Sequence, residues 1–215
     1  IMAKNKSCLR SKVGFLLLLF LGMVNLCRTS TAQNGISFTD QIQNYRTQLE
    51  VNPNQVEIRL ALARTYLLLE AFEQAMVEYQ RIIEIDPKRG DGYFGLGLSL
   101  AGQEEFEKAI SAYKNAIDIS PDLPQYHAAL GSSYAQLYRY DQAESAYQTA
   151  IDINDGNAMF HHRLGVVYAN QGKRDEAVSQ QKRAITIQPQ LFQAHHQLGM
   201  LYGQQNLWDK AISAY

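Results

Sequence analysis

Apolar and polar positions along this chain fall into two alternating kinds of amphipathic stripe. Ile58, Ala61, Leu62, Thr65, Tyr66 and Leu69 stand at i, i+3, i+4, i+7, i+8 and i+11, which puts them on one face of a helix. After a short break, Phe72, Ala75, Met76, Tyr79, Ile82 and Ile83 repeat the pattern. Pro87 then stops it, because proline has no N–H to donate and its ring clashes with the preceding turn. The break between the two stripes is too short for anything but an antiparallel hairpin, whose first helix is termed A and second B.

The hairpin returns every 34 residues. Pro53, Pro87, Pro121 and Pro189 keep that step, with Asp155 in the place of the missing proline. One interior column is Ala75, Ala109, Ala143, Ala177 and Ala211, and another is Ala63, Gly97, Gly131, Gly165 and Gly199. Small residues on both helices predict a close A-to-B approach. Leu62, Leu96, Leu130, Leu164 and Leu198 form a third column, and Tyr66, Tyr134, Tyr168 and Tyr202 a fourth, broken once by Leu100; both are expected in the core. Self-similarity at such a period is the signature of a solenoid.

The unit resembles the tetratricopeptide repeat. The family pattern of leucine, glycine and tyrosine on helix A, followed by alanine, aromatic and alanine on helix B, stands here as Leu130, Gly131, Tyr134, Ala143, Tyr147 and Ala150. Two positions depart from it. The early aromatic of helix A is kept by Tyr93 but replaced by Arg59, His127, His161 and His195, and Gln181 stands where other copies have Tyr79, Tyr113 and Tyr147. The resemblance covers residues 38–215 and implies an all-α fold, a right-handed superhelical solenoid of antiparallel helix pairs.

Three segments follow from the pattern. Residues 1–32 have the parts of a secretory signal: a basic region through Lys12, an apolar run from Val13 to Leu26, and Ser30-Thr31-Ala32 before Gln33. An uncleaved membrane anchor is the alternative reading of this run. Residues 33–53 hold a lone helix B from about Thr39 to Val51. Ser37 and Asp40 there have capping-box spacing, and Ile42, Tyr45 and Leu49 are expected to pack on the next helix A. Residues 54–215 are four full repeats and a truncated fifth, with Trp208 and Ile212 in its second helix. Since arrays are usually capped, a longer chain is expected.

Charge narrows the partners. The whole chain has 20 basic and 21 acidic residues, but residues 1–32 hold five of the basic ones (Lys4, Lys6, Arg10, Lys12, Arg28) and no acid, so the remainder has 15 against 21. A mildly acidic array argues against nucleic acid, which needs a basic face. Cys8 and Cys27, the two cysteines, both lie in the leader, so a cleaved chain has neither a disulfide nor a thiol nucleophile.

Candidate chemistry is sparse. The stretch from Gly95 to Gly102 superficially resembles a dinucleotide loop, but it lies inside a helix A, and Leu100 occupies the third-glycine position. His161 and His162 are helix neighbours about 100° apart and cannot chelate one ion together, and no carboxylate or cysteine column completes a metal site around His162 and His196. Runs such as Glu104-Glu105 and Lys173-Arg174-Asp175-Glu176 are expected to be solvated turns. No catalytic constellation, metal, cofactor or small-molecule substrate is indicated, so binding is the default.

The resemblance implies that A helices line a concave groove for a peptide or partner helix. Carried over by column, the lining is Leu60, Phe94, Ala128, His162 and His196, then Arg64, Leu98, Ser132, Val166 and Met200. Glu57, Asp91, Gln125, Met159 and Gln193 flank it. The expected function is a non-catalytic protein-interaction scaffold outside the cytoplasm, periplasmic, lumenal or secreted. The alternative is a substrate-gripping module of a larger enzyme, such as a glycosyl- or sulfotransferase, with its catalytic domain beyond residue 215.

Overall fold

The computed structural model describes residues 37–214. The expected leader, with its cleavage site or anchor, lies outside the described residues, as do residues 33–36 and Tyr215. Among the described residues there are eleven helices and no strand. They form two compact units, divided between Ser120 and Pro121.

The first unit contains α1 (Phe38–Val51), α2 (Val56–Leu68), α3 (Phe72–Ile85), α4 (Gly90–Gly102) and α5 (Phe106–Ile119). The second contains α6 (Pro124–Gln136), α7 (Tyr140–Ile153), α8 (Ala158–Asn170), α9 (Arg174–Ile187), α10 (Phe192–Gln204) and α11 (Trp208–Ala214). The A helices α2, α4, α6, α8 and α10 all have 13 residues and start 34 apart, and the four complete B helices after them all have 14. Within each unit every helix packs on its sequence neighbours, and successive A helices touch directly: α2 with α4, α6 with α8, and α8 with α10. Each unit is thus a stack of helical hairpins, the solenoid that the period predicts.

α1 starts one period before α3, as a lone B helix. The Ser37 hydroxyl accepts from the Asp40 N–H at 3.2 Å while the Asp40 carboxylate accepts from the Ser37 N–H at 3.3 Å, a reciprocal capping box that satisfies two orphan donors. Leu49 is buried and Ile42 and Tyr45 are half-buried as α1 covers α2.

The small-residue columns let the helices of a hairpin meet. Ala75, Ala109, Ala143 and Ala177 are fully buried. A methyl added at Gly97 would stand only 2.4 Å from a ring carbon of Tyr113, and one at Gly131 would stand 3.1 Å from ring carbons of Tyr147. The second approach is tight enough that the ring would have to shift. Two core expectations are met only in part: Leu96 and Tyr168 are half-buried, unlike their column mates.

Every A-to-B turn is built alike. Glu70, Glu104, Tyr138, Gly172 and Asn206 have φ between 55° and 79°, and they too are 34 residues apart. The next residue's N–H reaches back to the column at Tyr66, Leu100, Tyr134, Tyr168 and Tyr202 with N···O of 2.9 to 3.0 Å. That pairing, with a second bond from the left-handed residue itself, closes the helix C-terminus in a Schellman motif. Only one of the five left-handed positions is a glycine, although a side chain there costs roughly 1–2 kcal/mol. Two substitutions test this. Glu104→Gly is expected to raise unfolding free energy by about 0.5–1 kcal/mol, and Gly172→Ala, where a methyl meets no neighbour, to lower it by about 1 kcal/mol. Urea denaturation reads both, and equal stabilities would show that the turn is not the strained element.

Candidate partner-binding faces

The ten residues expected to line a groove separate by exposure. In the first unit Arg64 is exposed, Phe94 is half-buried with its ring 5.8 Å from that of Tyr113, and Leu60 and Leu98 are buried. In the second, His196 and Met200 are exposed, Val166 is half-buried, and Ala128, Ser132 and His162 are buried. The Ser132 side chain is hydrogen-bonded to Tyr147. The accessible part of the expected lining therefore consists of Arg64, Phe94, Val166, His196 and Met200.

In the first unit this face carries fixed charge. Arg89, at the start of α4, donates through Nη2 to Glu57 Oε1 at 2.6 Å and through Nε to Asp91 Oδ1 at 2.9 Å. The guanidinium of Arg64 stands 3.9 Å from the other oxygen of Asp91. Glu57 and Arg64 are on α2 and Asp91 on α4, so the network ties the two A helices together at the surface. Such exposed pairs add little stability, and their effect is to set the polarity of what can lie on them.

In the second unit the polar chemistry is inside. Gln181 is fully buried, 0% exposed, in the column that other copies fill with tyrosine. His162 Nδ1–H donates to Gln181 Oε1 at 2.9 Å, and Gln181 Nε2 donates to the backbone oxygen of His162 at 3.1 Å. The pair is thereby satisfied in both directions, with the imidazole neutral. Burial holds the His162 pKa down, to about 4, against the opposing effect of the Gln181 bond and with help from Arg163. His162 is thus engaged in the core, while His196 is exposed on the next A helix. No three of His, Cys, Asp and Glu among the described residues gather at a metal-binding distance.

The column where the early aromatic was expected has a role that sequence reasoning missed. Arg59 Nε donates to the Pro53 carbonyl at 2.9 Å, and the Nε2 atoms of His127, His161 and His195 stand 2.7, 3.1 and 2.9 Å from the carbonyls of Pro121, Asp155 and Pro189. Each spans six residues and latches the loop entering a repeat to that repeat's helix A. The same side chains reach helix B 19 residues on: Arg59 to Glu78, His161 to Gln180 and His195 to the Ala214 carbonyl. The signal was available, since an arginine or histidine stands six residues after the proline column in four copies out of five.

One expected solvated run is also tied down. Lys173 donates to Glu144 of α7 at 2.7 Å and lies over the Tyr168 ring, 5.3 Å from its centroid. The hydrogen bond from Lys173 holds the Glu144 carboxyl below its ordinary range. Glu105 at the other turn pairs with Lys108 at 2.6 Å. Among the described residues no helix is long and apolar enough to cross a membrane.

Comparison with known proteins places this geometry. Three family models match: a tetratricopeptide repeat over residues 42–96, a TPR repeat over 101–138, and the YpiA-like C-terminal tetratricopeptide repeats over 124–190. Among solved structures, MamA is 27% identical with a TM-score of 0.67, covering 75% of this chain and 93% of its own. YrrB, described as a TPR protein with an unusual peptide-binding site, is 21% identical with a TM-score of 0.64, covering 79% of this chain and 88% of its own. TTC0263, a thermophilic TPR protein of Thermus thermophilus, is 23% identical with a TM-score of 0.66, covering 86% of this chain and 96% of its own. No curated protein matches the chain.

The buried histidine gives a pH test with a defined sign. Well above pH 6.5 His162 is neutral whether the chain is folded or not. As pH falls from there toward about 4 the unfolded chain takes a proton that the folded chain refuses, so stability is lost across that window. The full loss is roughly 3 kcal/mol. Replacing the pair by its counterparts in the preceding repeat, His162→Ala with Gln181→Tyr, is expected to remove that part of the acid sensitivity. Urea midpoints at pH 7 and pH 4.5 that shift equally in parent and variant would reject it.

Proposed function

Because the chain carries tetratricopeptide repeats, we propose that it is a non-catalytic scaffold which holds a segment of another protein on its A-helix faces, and that it works outside the cytoplasm. The observation that carries the reading is the side-chain distribution on those helices. Met200, His196, Phe94 and Val166 keep apolar or polar surface accessible at positions where most of each helix is packed away. Apolar groups beside neutral hydrogen-bonding ones are the usual makeup of a protein-binding surface. The description of YrrB as peptide-binding supports the same class of partner. Export is supported by the leader, in which a basic segment, an apolar run and a small-residue site precede Gln33.

Two experiments follow. Met200, 41% exposed, is the clean position for a charge. Met200→Glu is expected to weaken capture of the native partner about tenfold while leaving helical circular dichroism and the unfolding midpoint unchanged. Unchanged capture would remove α10 from the binding face. Phe94→Glu is expected to reduce stability as well, because its ring packs against Tyr113. Mass spectrometry of the natively produced protein is expected to give Gln33 as the first residue, and a start within residues 1–12 would defeat the cleaved-signal reading and favour the uncleaved anchor.

A further inference from the structure

The proline column is broken once, and the residue that breaks it brings a chemistry that the other copies lack. Asp155 is followed by Gly156, whereas Pro53, Pro87, Pro121 and Pro189 are followed by Asn54, Lys88, Asp122 and Gln190. An aspartate whose next residue has no side chain is open to ring closure, in which its carboxyl carbon and the next backbone nitrogen join in a five-membered imide. A second such pair, Asp91 and Gly92, lies in the first turn of α4. There the Gly92 N–H donates to the Arg89 carbonyl at 3.1 Å, and Gly92 is buried. Helical ψ also points that nitrogen away from the Asp91 side chain, so this ring cannot close without unwinding the helix end.

Asp155 and Gly156 lie in the turn between α7 and α8, and both are exposed. A methyl placed on Gly156 would meet Asn154 Oδ1 at 3.3 Å and nothing else within 4 Å beyond the adjoining residues, so the turn leaves room for a ring. The Gly156 N–H is not committed to a helix; it donates to that same Asn154 oxygen at 3.1 Å. What restrains the site is the carboxylate. Its Oδ2 accepts from Nη2 of Arg183 on α9, and its Oδ1 stands 3.2 Å from Nε2 of His161 on α8. Closure expels one of these two oxygens, so a tie has to break first.

We propose that Asp155 and Gly156 form a modification site, at which the loop entering the fourth complete repeat isomerises to isoaspartate through a cyclic imide, with the Arg183 ion pair as its brake. The Gly156 nitrogen attacks Cγ of Asp155, a C–N bond forms, and a carboxyl oxygen leaves as water with the carboxyl and amide protons. Water then reopens the imide. Addition at Cγ restores aspartate, whereas addition at the main-chain carbonyl carbon breaks its bond to the Gly156 nitrogen and leaves isoaspartate, with no net change of mass. In that product the chain runs through Cβ and Cγ, and the former main-chain carbonyl has become a carboxylate. That carbonyl is the oxygen to which His161 is latched at 3.1 Å. The negative charge thus passes from the oxygens that Arg183 holds to the one that His161 faces, and α9 loses its tie to the loop. Hydrogen bonding from Arg183 also keeps the Asp155 carboxyl below its ordinary range, and an ionised carboxyl is a poorer target for attack than a protonated one. Both partners of the pair are about half exposed, so salt weakens the brake.

The test holds the full chain for weeks in warm buffer near neutral pH, made with isotopically labelled water. Peptides from a digest are then read for isoaspartate with an isoaspartate-specific carboxyl methyltransferase, and for heavy oxygen by mass spectrometry. Both marks are expected at Asp155 and not at Asp91. Arg183→Ala is expected to form isoaspartate about two- to fivefold faster than the parent, with unchanged circular dichroism, and Arg183→Lys to fall between them. The parent in high salt is expected to move the same way, which keeps the brake testable if Arg183→Ala does not fold. Gly156→Ala is expected to slow the reaction several-fold, since a side chain there crowds the attacking nitrogen. Isoaspartate formed as readily at Asp91 as at Asp155 overturns the proposal, and so does its absence from Asp155 in both Arg183→Ala and high salt. A rate at Asp155 that neither Arg183→Ala nor salt changes also overturns it, because the ion pair is then no brake.

Discussion

The close approach of a helix A to its helix B, with a small residue on each, is the constraint on which the rest depends. Where Gly97 faces Tyr113 there is no room for even one methyl group. That contact fixes the distance between the helices, and with it the loops and the stacking of one hairpin on the next. The alanine column on the B helices, buried completely in the four middle repeats, is the same requirement seen from the other helix. Surface residues enjoy freedom because these interior ones have none.

The fourth complete repeat shows how such a site accepts a change. Replacing the tyrosine by Gln181 takes away a ring and puts a carboxamide in a place closed to solvent. The substitution holds because His162 presents both a ring N–H and a backbone carbonyl at bonding distance, 2.9 and 3.1 Å. A half-satisfied pair would be worse than an apolar filling. Gln181 and His162 are thus one exchange in physical terms, a tyrosine ring given up for a paired amide and imidazole.

Period and helix faces could be read from the sequence because both are set by where apolar side chains recur, and the helix starts keep the 34-residue step throughout. Other features depend on what a side chain meets. Glu70 and Tyr138 do not announce a left-handed backbone, since it is the helix termination that demands it and glycine appears there only once, at Gly172. His127, His161 and His195 read as a lapse from an aromatic column, whereas their ring nitrogens find loop carbonyls that only the folded hairpin brings near. Column transfer likewise names positions that point toward a neighbouring helix A. It does not say how much of Leu60, Ala128 or His162 the folded hairpins cover, and the structure covers nearly all.

The latches have one more consequence. Their bonds span six residues within a loop and 19 within a hairpin, and ties between repeats such as Arg89 to Glu57 span 32. Every such partner is thus found within a single repeat length along the chain. Contacts of short sequence separation cost little loop-closure entropy, so each hairpin can assemble as soon as its own residues are available, without waiting for a distant end. For the same reason a block of 34 residues is a transferable part: duplicating or deleting one would join identical seams, and the protein's reach can change in whole steps without redesign of its joints.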